Sequence, residues 1–179
     1  MTDNLYYDDD GFTLHFHDRV FYTQCGTNKR LSFFELLKLT TDISTEDFRR
    51  RGVSMDTLAA HSLARVVSRS SFRLHRMPVR DEAIEIITRE ESPEALHIIH
   101  SYEIIGEGGE KLISGESEWL IINSETRRII PTKLFTLRNP PSERHENDCL
   151  PNARIARPEQ LRELAAFKMR PSHLDGNAH

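Results

Sequence analysis

Over residues 12–24 apolar and polar positions alternate. Phe12, Leu14 and Phe16 fall on one side, and Thr13, His15 and His17 on the other. A period of two is that of a half-buried strand. Residues 25–30, with Gly26 and Asn28, break the pattern and read as a turn. From Leu31 the period lengthens. Phe33, Leu36, Leu37, Thr40, Ile43, Ser44 and Phe48 recur at three- and four-residue steps, one apolar stripe of a helix. Ser32 and Glu35 have the spacing of a capping box at its start. Arg49, Arg50 and Arg51 place positive charge in its last turn, and Gly52 is a stop signal. The spacing predicts a helix of about five turns.

After a short helical piece over residues 55–60 the period returns to two. Residues 63–78, 82–91, 95–106 and 111–130 read as successive strands, with Ser92-Pro93 and the "EGGE" of residues 107–110 as turns. The pattern predicts an α+β domain: an antiparallel sheet, residues 12–24 its candidate further strand, curled around one long helix that buries its stripe in the concave face. From Pro131 prolines crowd in and periodicity fades, so residues 131–166 read as a linker. Within it Pro158 is placed to open a short helix, "PEQLRELA". From Phe167 the chain starts again as it did at Phe12, a faint internal repeat. Three parts are therefore expected: a first domain over residues 1–130, the linker, and the start of a second domain over 167–179.

Composition narrows the classes. A net charge of −4 with 37% hydrophobic residues suits a globular protein and argues against broad nucleic-acid binding. Cys25 and Cys149 form no disulfide framework, the acidic N-terminus has no signal-peptide core, and no apolar run is long enough to span a membrane. The expected compartment is a reducing cytoplasm.

The terminal "RPSHLDGNAH" concentrates titratable residues. His173, Asp175, Asn177 and His179 alternate, and on a strand they would share a face as metal ligands do. Gly176 argues for a turn instead, and no Cys or acidic partner stands nearby at ligand spacing, so no metal is expected. Spacing alone favours a surface turn. His15 and His17 read as half-exposed strand residues rather than ligands. Cys25 has no adjacent base to activate it and reads as a small turn-packing residue.

Four stretches together resemble one family: "LLKLTTDISTEDFRRRGVSMDTL", "SRSSFRLHRMPVRDEAIEIITRE", "SEWLIINSETRRIIP" and "RPSHLDGNAH". The resemblance is to the bacterial-type acyl-acyl carrier protein (acyl-ACP) thioesterases, related to plant fatty acyl-ACP thioesterases. It implies the hot-dog fold, cytoplasmic hydrolysis of fatty acyl-ACP to free fatty acid, and no cofactor. The family carries Asp-x-Asn-x-His near the start of a second hot-dog domain, and Asp175, Asn177 and His179 match it position by position. The resemblance makes these the catalytic candidates, with Asn177 orienting water or thioester, His179 moving or polarising a proton, and Asp175 supporting the pair. It also implies that the sequence stops early in that second domain, short of a further catalytic carboxylate. Ala64-Arg65 stands where the family often has a tryptophan.

Phe33, Phe34, Leu37 and Trp119 are the acyl-pocket candidates, each equally a plain core residue. Arg49, Arg50 and Arg51 are the candidates for docking the acidic acyl carrier protein with its acyl-phosphopantetheine. A solvated helix end explains them equally well, as an exposed strand face would Arg65, Arg69, Arg73, Arg76 and Arg80. Other readings of the same scaffold are an acyl-CoA thioesterase, another hot-dog enzyme, and a non-catalytic acyl-binding module. A first domain alone would leave an edge uncovered, which makes a homodimer an expectation too.

Overall fold

The computed structural model describes residues 4–171. Its core is helix α1 (Phe33–Arg50), wrapped by a seven-stranded antiparallel sheet in the hot-dog arrangement. The strands are β1 (Leu5–Tyr7), β2 (Thr13–Arg19), β3 (Leu63–Leu74), β4 (Ala83–Glu91), β5 (Ile98–Gly106), β6 (Lys111–Asn123) and β7 (Ile129–Ile130), with a short helix α2 (Met55–Ala60) before β3. The order across the sheet is β1-β2-β4-β5-β6-β3, and β7 pairs with β6. No helix among the described residues is long and apolar enough to cross a membrane.

The alternation along the strands decides what meets the helix. Leu14, Ile84, Ile86, Tyr102, Ile104 and Ile113 face inward and pack with Leu36 and Ile43 of α1. A second cluster joins Phe48 at the far end of α1 to Leu58, Ile98, Trp119, Ile121 and Phe135. Ser32 caps α1 as expected, its Oγ accepting from the Glu35 N–H at 3.2 Å. The box is only half formed, however. The Ser32 N–H goes to the Gln24 carbonyl, and the Glu35 carboxylate binds Lys38.

Three local expectations are corrected. The acidic leader contributes β1, because Leu5 and Tyr7 find a ready edge on β2 at Phe16 and Leu14. The last strand is two: β6 ends at Asn123, whose side-chain oxygen accepts from the Glu125 and Thr126 N–H groups, and the chain turns back as β7. No helix forms over residues 158–165. Residues 150–170 carry no helix or strand, and all except Asn152 are exposed, so "PEQLRELA" has nothing among the described residues to bury its apolar side against.

The segment read as a linker is also not uniform. Phe135 is buried in the second core cluster and Arg138 is buried beside Glu90. Residues 139–149 then cross the outer face of the sheet as a strap. The Glu143 carbonyl accepts from Ser92 N–H at 2.7 Å, and Arg144 pairs with Glu116 and Glu94. The His145 N–H and ring meet Glu91, the Asn147 amide donates to the Gly115 carbonyl, and Asp148 meets His75. Proline spacing cannot show such anchoring, because the partners lie 28 to 73 residues earlier.

Phe135 is the apolar anchor of this strap. Phe135→Ala should cost about 3–5 kcal/mol, the usual range for emptying a buried aromatic site. Chemical denaturation measures the loss, and limited proteolysis within residues 139–149 should accelerate in parallel.

Candidate acyl cleft and the buried ion cluster beneath it

The edge strand β3 and helix α1 do not close on each other. Between them lies a cleft of about 340 Å³, walled by Phe33 and Leu37 from α1 and by Val67 and Phe72 from β3, with Tyr102, Ser117 and Trp119 at its floor. Phe33, Leu37, Thr40 and Thr41 fall on one stripe of the helix, beside the stripe that enters the core. A register shift between Val67 and Arg69 sets Ser68 out of the ladder and bends β3 where it borders the cleft. Phe72 can lie across the sheet only because residue 115 is glycine. A Cβ there would fall inside the Phe72 ring's contact distance. Phe72 in turn meets Phe33 edge-on at 6.0 Å and stacks with Tyr102 at 6.3 Å.

The floor is polar. Trp119 Nε1 donates to Ser117 Oγ at 2.7 Å, and Ser117 Oγ lies 2.6 Å from the Tyr102 hydroxyl. All three residues are at least 95% buried. Burial raises the Tyr102 pKa, which keeps the phenol protonated and a donor.

Beneath the floor is a cluster of buried charges. Asp47, in the last turn of α1, accepts from the Tyr7 hydroxyl at 2.8 Å and from His100 Nε2 at 3.1 Å, and lies 3.4 Å from Arg51. Arg51 reaches on to Glu90 at 2.7 Å, and Glu90 also holds Arg138 through two contacts. The far nitrogen of His100, Nδ1, is 3.4 Å from Arg65 Nη2. Arginine has only donors, so Nδ1 must accept and the proton of neutral His100 sits on Nε2, aimed at Asp47. Burial pushes the His100 pKa below its ordinary value, with the Arg65 charge adding to the effect and the Asp47 hydrogen bond opposing it. Burial alone would raise Asp47, but the bond from His100 and the charge of Arg51 outweigh it and hold the carboxyl below its usual range. Arg65 is pushed down to about 10 by burial and remains a cation at neutral pH. Its guanidinium stacks on Trp119 and Phe48, 3.6 and 4.3 Å from the ring centres, and its Nε has no partner.

The sequence candidates are distributed unevenly over this geometry. Phe33, Leu37 and Trp119 border the cleft together. Phe34 does not: it is 67% exposed on another side of the helix, under the Lys38 ammonium. Arg51 is turned inward, so it is no docking residue. Arg49 and Arg50 both grip Glu46, whose pKa falls to about 2 chiefly through the Arg49 hydrogen bonds. Arg69, Arg73 and Arg76 are likewise paired, with Glu118, Asp148 and Glu82. Cys25 and Cys149 are free thiols, and burial raises Cys149 to about 11. Asp175, Asn177 and His179 lie outside the described residues. Sequence reasoning missed Asp47 and His100, though a signal existed: both sit where a core-facing apolar residue is due. Asp47 is one step from Phe48 on the helix stripe, and His100 lies between inward-facing Ile98 and Tyr102. Both are fully buried, and their contact ties the last turn of α1 to β5.

Residues 12–133 match the model of the acyl-ACP thioesterase N-terminal domain. No curated protein matches the chain. Among solved structures, an acyl-ACP thioesterase from Bacteroides thetaiotaomicron overlays with a TM-score of 0.73 at 20% identity, covering 96% of this chain and 69% of that one. A 12:0-ACP thioesterase from Umbellularia californica gives 0.70 at 16% identity, covering 92% and 68%. A DHNA-CoA thioesterase from Staphylococcus aureus gives 0.61 at 16%, covering 66% of this chain and 80% of that one. At these identities the likeness is one of fold. The chain spans about two thirds of the length of the acyl-ACP thioesterase chains it overlays.

Asp47 and His100 make stability sensitive to acid. Both pKa values are depressed on folding, so their contribution is complete above the unfolded values and is lost as pH falls. The histidine part should begin to fade below about 6.5 and the aspartate part below about 3.9. The melting temperature should therefore drop between pH 7 and pH 5, and His100→Gln, which keeps a donor but cannot titrate, should flatten that drop. His100→Ala should cost about 1–3 kcal/mol at pH 7 by leaving the buried carboxylate one donor short.

Proposed function

Since the chain belongs to the acyl-ACP thioesterase family, we propose that it serves the hydrolysis of acyl thioesters carried on acyl carrier protein, with the cleft between α1 and β3 holding the acyl chain. The observation that carries the reading is that cleft, bordered by Phe33, Leu37, Phe72 and Trp119, in a chain matching the family's N-terminal domain over residues 12–133. An acyl chain gains by leaving water for such walls, about 0.8 kcal/mol for each buried methylene.

Hydrolysis needs a positioned water, a group to take its proton and donors for the oxyanion. Asp175, Asn177 and His179 are assigned to that chemistry, with Asn177 orienting, His179 moving or polarising the proton and Asp175 supporting both. The division of labour is then between a binding half, residues 1–130, and a reacting half that begins near Phe167, joined by residues 131–166. The reaction needs no cofactor, and the cytoplasm, where acyl carrier proteins work, is the assigned compartment. With Arg51 turned toward Asp47 and Glu90, Arg49 and Arg50, both paired with Glu46, are what remains of the carrier-docking candidates. The likeness to a CoA thioesterase favours a second reading, acyl-CoA as the substrate.

Release of free carrier thiol from decanoyl-ACP and of CoA thiol from decanoyl-CoA decides between them. The ACP thioester should be cleaved with the higher kcat/KM. His179→Ala and Asn177→Ala should each lower that value by about 10²–10⁴, the range for losing a positioned acid–base group. Equal rates in wild type and both variants would remove the assigned roles. Binding without hydrolysis would fit an acyl-binding module, or an active site that needs the further carboxylate the resemblance implies.

A further inference from the structure

The groove between α1 and β3 continues past the acyl cleft. Toward the start of the helix lies a second cavity of the same volume, about 340 Å³, with Leu31, Leu74 and Met77 among its lining residues. The two cavities follow one another along both walls. On the helix side Leu37 and Phe33 give way to Ser32 and Leu31, and on β3 Phe72 gives way to Leu74. Phe72 and Leu74 stand opposite Gly115 and Ile113 of β6, so both belong to the inner face of the sheet. Among the described residues Phe33 alone borders both cavities.

Phe33 is therefore the partition. Its ring meets Phe72 edge-on with the centres 6.0 Å apart, and Phe72 is the fixed partner, seated over Gly115 and stacked on Tyr102. Phe33 itself is 51% exposed and is the first residue of α1. No helical turn precedes it to restrict its rotamer, so the contact with Phe72 is what keeps the ring across the groove. A ring placed in this way closes one end of the cleft while standing outside both core clusters. Its removal joins the two cavities and leaves the packing of the core in place.

We propose that Phe33 sets the length of the acyl chain held here, by closing the acyl cleft off from a second cavity that would otherwise extend it. The proposal rests on the cleft being the acyl site. A saturated chain gains about fourfold in affinity for each methylene it moves out of water, and it stops gaining where a wall stops it.

Trp119 is the only tryptophan in the chain and lines the cleft, so its fluorescence reports binding there. The full chain is titrated with the neutral N-acetylcysteamine thioesters of the even-numbered saturated acids from octanoic to octadecanoic. Wild-type affinity should rise about fourfold per methylene up to one of these lengths and level off beyond it. Phe33→Ala should carry the rise on by about four carbons, since the step from Phe72 to Leu74 adds about 7 Å of groove. Leu74→Glu added to Phe33→Ala should return the break to the wild-type length, because the second cavity then meets the chain with a charge. The position of the break is read within each protein, so a general loss of affinity does not mimic the result, and melting curves establish that each variant is folded. A break at the same length in wild type and Phe33→Ala would overturn the proposal while leaving the acyl cleft standing. So would a wild-type affinity that never levels off, or a break that stays long in the double variant. No binding of any thioester would overturn the acyl reading of the cleft, and the proposal with it.

Discussion

The Asp47 carboxylate, buried in the last turn of the central helix, is the contact on which the arrangement turns. It takes a proton donor from β1 through Tyr7 and another from β5 through His100, and it shares Arg51 with Glu90 of β4. Glu90 then binds Arg138, where the chain leaves the second core cluster to cross the sheet as a strap. One end of the helix is thereby fixed to three strands and to the strap by directional contacts, while its other apolar positions are held by packing that a small rotation would satisfy equally well. An ion pair sealed from water is a poor source of net stability, because desolvation consumes most of its attraction. What it supplies here is register: an unpaired carboxylate at full burial is so costly that few other helix positions are tolerated.

That fixed helix makes the cleft. With Asp47 and Phe48 anchored at one end, the stripe Phe33, Leu37 and Thr41 is presented along β3, and the small residues Thr40, Thr41, Ser68 and Ser70 leave room where larger ones would close the gap. Gly115 lets Phe72 fold over the sheet as a wall. The cleft and the ion cluster meet at Trp119, one face of which carries Arg65 while its N–H fixes Ser117. Packing, charge and the polar floor are therefore one connected construction rather than a greasy pocket beside an unrelated salt-bridge network.

Much of this architecture was legible along the chain. The helix, its Ser32 cap, the main strands in their succession along the chain and their alternation follow from local periods of 3.6 and 2, since those periods express backbone geometry that each segment carries by itself. The site was legible only in part. Phe33, Leu37 and Trp119 announce themselves as large apolar residues, but no period distinguishes them from Phe34, which the same helix turns to solvent. The arginines 49–51 read as one basic cluster, yet the first two go to Glu46 and the third turns inward to Asp47 and Glu90, because a step of about 100° separates neighbours.

Sequence by itself determined the central helix, its main strands, the concave sheet around that helix and the family to which the domain belongs, all properties of local pattern and of motif. Tertiary structure decided which polar residues are buried and with whom. Asp47 meets His100, Arg138 meets Glu90 and Tyr102 meets Ser117 across separations of 53, 48 and 15 residues. Whether a donor at such a place is paired or spare depends on the count of acceptors around it. That count exists only once distant strands have been laid side by side.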